Sequence, residues 1–165
     1  MSDSAPSAIV LTVSSSRAGD DGPEDVGGEE LAEWAAGIGV QVMDREVVAD
    51  RREEIEDRLR HFCDVLECDL VLTTGGTGLA PDDITPEATL AVAEREVPGI
   101  AEAMRLESRE HTRHWMLARN RAVVRRGTLI VNFPGNPKAI GEAGAAIAEA
   151  LPHALRLIAG EHGGH

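Results

Sequence analysis

Leu70-Val71-Leu72-Thr73-Thr74-Gly75-Gly76-Thr77-Gly78, continued by Leu79-Ala80-Pro81-Asp82-Asp83-Ile84-Thr85-Pro86-Glu87-Ala88, decides how this chain folds. The unbroken apolar run at residues 70–72 is that of a strand covered on both faces, as in parallel sheets. Three glycines in the four positions 75–78 let the backbone turn sharply and press its N–H groups against an anion. Thr85 has the side chain of a helix N-cap, Pro86 suits the first helical position, and Glu87 adds negative charge to the first turn. A helix is therefore predicted to start there. Phosphate oxygens held by backbone N–H groups, with Asp82 or Asp83 nearby to hold Mg²⁺, would make a nucleotide or phosphoester site. Taken alone, the same turn is equally readable as a plain βα connection whose glycines only permit the bend.

Working outward, residues 8–13 read as a strand, and Ser14, Ser15, Ser16 and Arg17 then place hydroxyls and a guanidinium where α/β sheets keep ligands. A helix over 29–36 should bury Leu31, Trp34 and Ala35 and end at Gly37 and Gly39. Residues 40–48 form a second strand. Asp50 then reads as the N-cap of a helix over 51–66 that turns Ile55, Leu59, Phe62, Val65 and Leu66 inward. Further helices are predicted over 85–96 and 100–110, and strands over 121–124 and 128–133 joined by Arg125-Arg126-Gly127. Pro134-Gly135-Asn136-Pro137-Lys138 is a second glycine-proline loop, opening a helix over 139–150, and residues 152–159 add a last turn or two. Trp115, Met116 and Leu117 are expected in the core or in a subunit contact. One domain over 8–160 with loose tails at 1–7 and 161–165 accounts for the whole pattern.

At 165 residues the chain can bury roughly two thirds of its unfolded surface without disulfides. Cys63 and Cys68 read as buried free thiols. The formal net charge is −13, and the 16 basic residues are Arg with the single exception of Lys138. Such a carboxylate-rich surface fits a high-salt cytoplasm and repels nucleic acid and anionic membranes, which are thus not expected partners. No signal peptide and no apolar run near the ~20 residues of a membrane span is evident, so a cytoplasmic protein is expected. An anionic substrate would need a locally positive pocket.

Residues 73–88, read with 134–138, resemble the MogA and MoaB family of molybdenum cofactor biosynthesis. The likeness rests on Thr74-Gly75-Gly76-Thr77-Gly78, on Asp83-Ile84-Thr85-Pro86-Glu87-Ala88 and on Pro134-Gly135-Asn136-Pro137-Lys138-Ala139, and it spans nearly the whole domain. Residues 91–99 are closest to its adenylyltransferase branch. Ser15, Arg17, Asp25 and Gly27 fall on its N-terminal pattern, whereas Ser16 replaces a common Asp and Ala118 a common Ser before Arg119. The resemblance implies a three-layer α/β/α sandwich around a mostly parallel sheet, the molybdopterin-binding fold, assembled as trimers and sometimes hexamers. It implies Mg²⁺-dependent transfer of AMP from ATP to the terminal phosphate of molybdopterin, with release of pyrophosphate. It marks Asp50 and Asp83 as the catalytic and metal-holding carboxylates. Substrate contacts are then expected from Ser14, Arg17, Thr74, Gly75, Gly76, Thr77, Gly78, Glu87, Pro134, Gly135, Asn136, Pro137 and Lys138.

Two polyanions must meet in such a reaction, which calls for N–H donors, cations and Mg²⁺ rather than a covalent nucleophile. The rival expectation is a protein of the MoaB type that binds molybdopterin without transferring AMP. A pure binder needs the cradle but not both carboxylates, and Asp50 and Asp83 favour the enzyme. A dinucleotide-binding dehydrogenase would need G-x-G-x-x-G after the first strand, and a P-loop ATPase a Gly-Lys-Ser/Thr after Gly75-Gly76; neither is present.

Overall fold

The computed structural model describes residues 4–161. The tail segments 1–3 and 162–165 lie outside them. The strands are β1 (Ser7–Val13), β2 (Gln41–Val48), β3 (Leu70–Thr74), β4 (Arg95–Glu96), β5 (Ala122–Arg125) and β6 (Thr128–Phe133). The helices are α1 (Val26–Gly37), α2 (Arg52–Asp64), α3 (Thr85–Val92), α4 (Pro98–Ser108), α5 (Pro137–Ala145) and α6 (Ala150–Ile158). The strands form one sheet in the order β2-β1-β3-β6-β5-β4. β2, β1, β3 and β6 run parallel, and β5 and β4 add an antiparallel margin.

Alternation along the strands divides the core in two. Ala8, Val10, Leu70, Leu72, Leu129, Val131 and Phe133 pack with α1, α4, α5 and α6 through Leu31, Ala35, Met104, Ile140, Ala143, Leu151 and Leu155. Ile9, Leu11, Val13, Val71, Val123 and Ile130 face the other way, onto Ile55, Leu59 and Phe62 of α2 and Ala88 and Val92 of α3. The sheet is thus the middle layer of a three-layer α/β/α sandwich. β3, at its centre, is buried at every residue, as its apolar run requires. Trp34 crosses to Phe133 with ring centroids 5.0 Å apart.

Several predicted boundaries shift. β1 begins at Ser7, whose N–H and hydroxyl both donate to Asp69. The helix predicted to reach residue 96 stops at Val92, because Arg95 and Glu96 pair with Val124 and Val123 of β5. α2 ends at Asp64, so Val65 and Leu66, expected inside, are 65% and 50% exposed. Glu67 then takes φ +50° and redirects the chain into β3. The alanine-rich stretch predicted as one helix over 139–150 ends as α5 at Ala145, and α6 starts at Ala150, including Pro152 in its first turn. Met116 and Leu117 are exposed on a single 3₁₀ turn and do not enter the core. Cys63 and Cys68 are buried free thiols, and burial pushes them up to about 11 and about 12.

Candidate functional site

The four parallel strands end at one edge of the sheet, and the loops that follow them lie in the order of those strands. Helices α2, α1, α3 and α5 follow β2, β1, β3 and β6, so four helix N-termini gather at that edge. Their dipoles supply positive potential in a chain of formal charge −13.

The glycine turn after β3 is fixed from behind. Gly75 and Gly76 have φ +95° and +68°; a Cβ would stand 2.4 Å from the Val13 carbonyl oxygen at the first and 2.3 Å from Thr85 Oγ1 at the second. Thr85 is therefore not the helix cap predicted for it. Ile84 holds that position without a side-chain bond, while Thr85 Oγ1 donates to the Gly75 carbonyl at 2.9 Å and Thr85 N to the Gly76 carbonyl at 3.1 Å. Arg119 takes the other two carbonyls, its backbone N reaching Thr77 O at 3.0 Å and its Nε reaching Gly78 O at 2.7 Å. In a trans peptide the C=O and the following N–H point oppositely. With these four carbonyls taken, the N–H groups of Gly76 and Thr77 point away from Thr85 and those of Gly78 and Leu79 away from Arg119, and none of the four has an acceptor among the described residues.

Asp83 sits against this turn: a Cβ at Gly78 would lie 2.7 Å from Asp83 Oδ2. That oxygen accepts from Ala80 N at 2.9 Å, and Oδ1 has no partner among the described residues. Neighbouring Asp82 is exposed and makes no bond among them. Asp50 lies at the end of β2. It does not cap α2 as predicted, since the cap position is Arg51 with no side-chain bond. Asp50 Oδ2 instead accepts from Ser15 N at 2.8 Å and Ser15 Oγ at 2.9 Å, and Asp50 N donates to Ser15 Oγ at 2.9 Å. This latch orders the loop after β1 and again leaves Oδ1 without a partner among the described residues. The two carboxylates thus follow the strands on either side of β1, each with one uncommitted oxygen.

Between β1 and the glycine turn lies a cleft of about 100 Å³ lined by Ser14, Arg17, Thr74, Gly75, Gly135 and Pro137 of the predicted site, with Thr12, Val13, Asp25 and Gly27. The Arg17 guanidinium donates to the Glu24 carbonyl at 3.2 Å and to Ser14 Oγ at 3.5 Å, with no carboxylate to neutralise it among the described residues. Asp25 caps α1 by accepting from Gly28 N at 2.9 Å and also takes the Thr12 hydroxyl at 2.8 Å. The second loop closes the cleft. Thr74 Oγ1 donates to the Pro134 carbonyl at 2.7 Å, and a Cβ at Gly135 would stand 3.2 Å from Gly75 Cα. Asn136 caps α5 through Lys138 N at 3.1 Å, leaving the exposed Lys138 ammonium without an ion pair among the described residues.

Glu87, on the first turn of α3, pairs with Arg119 Nη1, and that hydrogen bond holds its carboxyl below the usual carboxylate range. Its other oxygen, Oε2, is buried with no donor among the described residues. Outside the cleft lining, His111 has a carboxylate 3.7 Å from each ring nitrogen, Glu107 and Glu142. The sequence reading does not place Asp25 in the cleft, and it gives Arg119 no role at all. Asp25 carries a detectable signal as an acid three residues before a helical glycine; Arg119 carries none.

Residues 9–153 match the family model described as "Probable molybdopterin binding domain". A protein named molybdopterin adenylyltransferase from Helicobacter pylori strain J99 is 46% identical over 117 residues, covering 71% of this chain and 66% of that relative. One of the same name from Escherichia coli K12 is 36% identical over 168 residues, covering 93% of this chain and 86% of the relative. Among solved structures, the molybdopterin biosynthesis enzyme MoaB of Thermus thermophilus superposes with TM-score 0.86 at 43% identity, covering 93% of this chain and 96% of that one. With the sandwich, the edge and the glycine turn in place, these matches mean that the chain belongs to the molybdopterin-binding domain family of molybdenum cofactor biosynthesis.

Proposed function

We propose that this protein transfers AMP from ATP to the terminal phosphate of molybdopterin, releasing pyrophosphate. An oxygen of that phosphate attacks the α-phosphorus of ATP, the bond to the bridging oxygen breaks, and the leaving group carries away its electron pair as pyrophosphate. The observation that carries this reading is the glycine turn: four successive N–H groups without an acceptor among the described residues, against Asp83, with Asp50 at the end of a neighbouring strand and each carboxylate keeping an uncommitted oxygen. The adenylyltransferase names of the Helicobacter and Escherichia relatives support the same chemistry.

In this reading the N–H groups of Gly76, Thr77 and Gly78 hold a phosphate, and the cleft lined by Ser14, Arg17, Thr74, Gly75, Gly135 and Pro137, with Pro134 and Asn136 of the adjoining loop, takes the rest of the phosphorylated substrates. Lys138 and Arg17 offset repulsion between the polyanions as they approach. Glu87, paired with Arg119 beside the turn, serves the substrates through that arginine. An oxygen-only donor set with two half-committed carboxylates fits Mg²⁺ shared with phosphate oxygens, and Asp50 and Asp83 would hold it. Bound there, the ion would neutralise charge on the ATP phosphates. Assembly as trimers or hexamers is part of the proposal, supported by the exposed Leu106, Met116 and Leu117, as is a cytoplasmic setting where ATP is supplied. No helix of the described residues is long and apolar enough to cross a membrane.

Incubation with molybdopterin, ATP and Mg²⁺ at molar salt should yield adenylylated molybdopterin and pyrophosphate in equal amounts. Tight molybdopterin binding without product would replace the transferase by a binding protein.

A further inference from the structure

We infer that Arg119 is the positioning residue that sets the second half of the anion cradle and holds Asp83 in register with it. The inference rests on the AMP-transfer reading for its kinetic consequence and on geometry alone for its structural one.

Arg119 bonds to four points on one short segment. Its backbone N and Nε hold the carbonyls of Thr77 and Gly78, Nη2 reaches the Asp83 carbonyl at 2.5 Å, and Nη1 pairs with Glu87. The carbonyl contacts at residues 77 and 78 orient the N–H groups of Gly78 and Leu79, just as Thr85 orients those of Gly76 and Thr77. The bond to Asp83 O anchors the peptide that follows the working carboxylate. Between those points the segment has little else to hold it: Asp83 N to Ala80 O at 2.9 Å and Ala80 N to Asp83 Oδ2 at 2.9 Å are local bonds that do not tie it to the body. One planar guanidinium thus sets the spacing between cradle and carboxylate, and an ammonium cannot, because it lacks the rigid fork. Glu87 keeps the fork oriented and neutralises it, so Arg119 serves the site through the backbone and does not itself bind the phosphate.

The test compares wild type, Arg119→Lys, Arg119→Ala, Glu87→Gln and, as a control, Arg125→Lys, whose arginine pairs with Asp64 away from the site. Amide exchange is followed at Ala80, Asp83 and Thr85, the hydrogen-bonded amides of the segment 77–85, and turnover with molybdopterin and Mg-ATP is measured alongside. Arg119→Lys should speed exchange in that segment by roughly tenfold or more, with Arg125→Lys leaving it unchanged. It should also lower kcat by roughly 100-fold, the scale of a misplacement near 1 Å. Glu87→Gln should act in the same direction and less. Added guanidinium should restore part of the Arg119→Ala turnover, a rescue that a general loss of stability would not show. Exchange and turnover in Arg119→Lys that match Arg125→Lys would overturn the inference. If wild type forms no adenylylated product, the AMP-transfer reading fails, and the exchange comparison still decides the role of Arg119.

Discussion

The Thr74 hydroxyl donates to the Pro134 carbonyl at 2.7 Å, so the last residue of β3 and the first residue after β6 are tied across the mouth of the cleft. These strands are parallel neighbours, and their loops carry the glycine turn and the glycine-proline loop of the proposed site. Thr74→Val keeps shape and burial but leaves that carbonyl without its donor. The loss should be about 1–3 kcal/mol by urea melting, and KM for the substrates should rise as the loops part. An unchanged urea midpoint would remove the tie from the account.

Asp50→Asn and Asp83→Asn each delete a charge and keep an oxygen able to accept the existing bonds from Ser15 and Ala80. Turnover should fall by about 100-fold or more in each, within the range for lost electrostatic stabilisation, while the melting temperature moves little. Molybdopterin binding should survive in both. Normal turnover in either variant would strip that carboxylate of its proposed role.

Arg125 grips both oxygens of Asp64, at 2.9 and 2.6 Å, and this bond lowers the Asp64 pKa below its ordinary value of 3.8. The carboxylate therefore contributes stability above about pH 4, and that contribution is lost as the pH falls through the lower native value. Wild type should exceed Asp64→Asn in urea midpoint at pH 6, and the gap should close towards pH 2. A gap independent of pH would show that the pair acts by packing.

Net charge of −13 makes the folded state repel itself. The screening length shrinks from about 10 Å at 0.1 M salt to about 3 Å at 1 M, so the melting temperature should rise across that range. Sulfate, which also strengthens apolar burial, should be avoided; a flat response in sodium chloride would dismiss self-repulsion.

How much of this can be read from the chain follows from the range of each interaction. The run at residues 70–72 announces a central strand because burial on both faces leaves a local signature, and the fold class follows from its neighbours. Thr85 and Asp50 stand out in the sequence for the wrong reason. Both have side chains suited to capping, and only the folded chain offers them better partners, Gly75 across the turn and Ser15 on the loop after another strand. The overlong third helix has the same origin, since Arg95 and Glu96 become strand by pairing with β5, beyond the whole of α4. Arg119 is invisible because its partners are mostly backbone carbonyls, which are present at every position and leave no pattern.

The margins of the sheet have a further consequence. One is β2, which exposes Gln41, Met43, Asp44 and Arg45 and shifts register opposite Ala8 and Ile9; the other is β4, two exposed charged residues long. Neither offers a flat, apolar row of unpaired peptide groups that a foreign strand could copy. At the salt levels that quiet its charge repulsion, the protein is still guarded by the geometry of both sheet margins against pairing with a foreign strand.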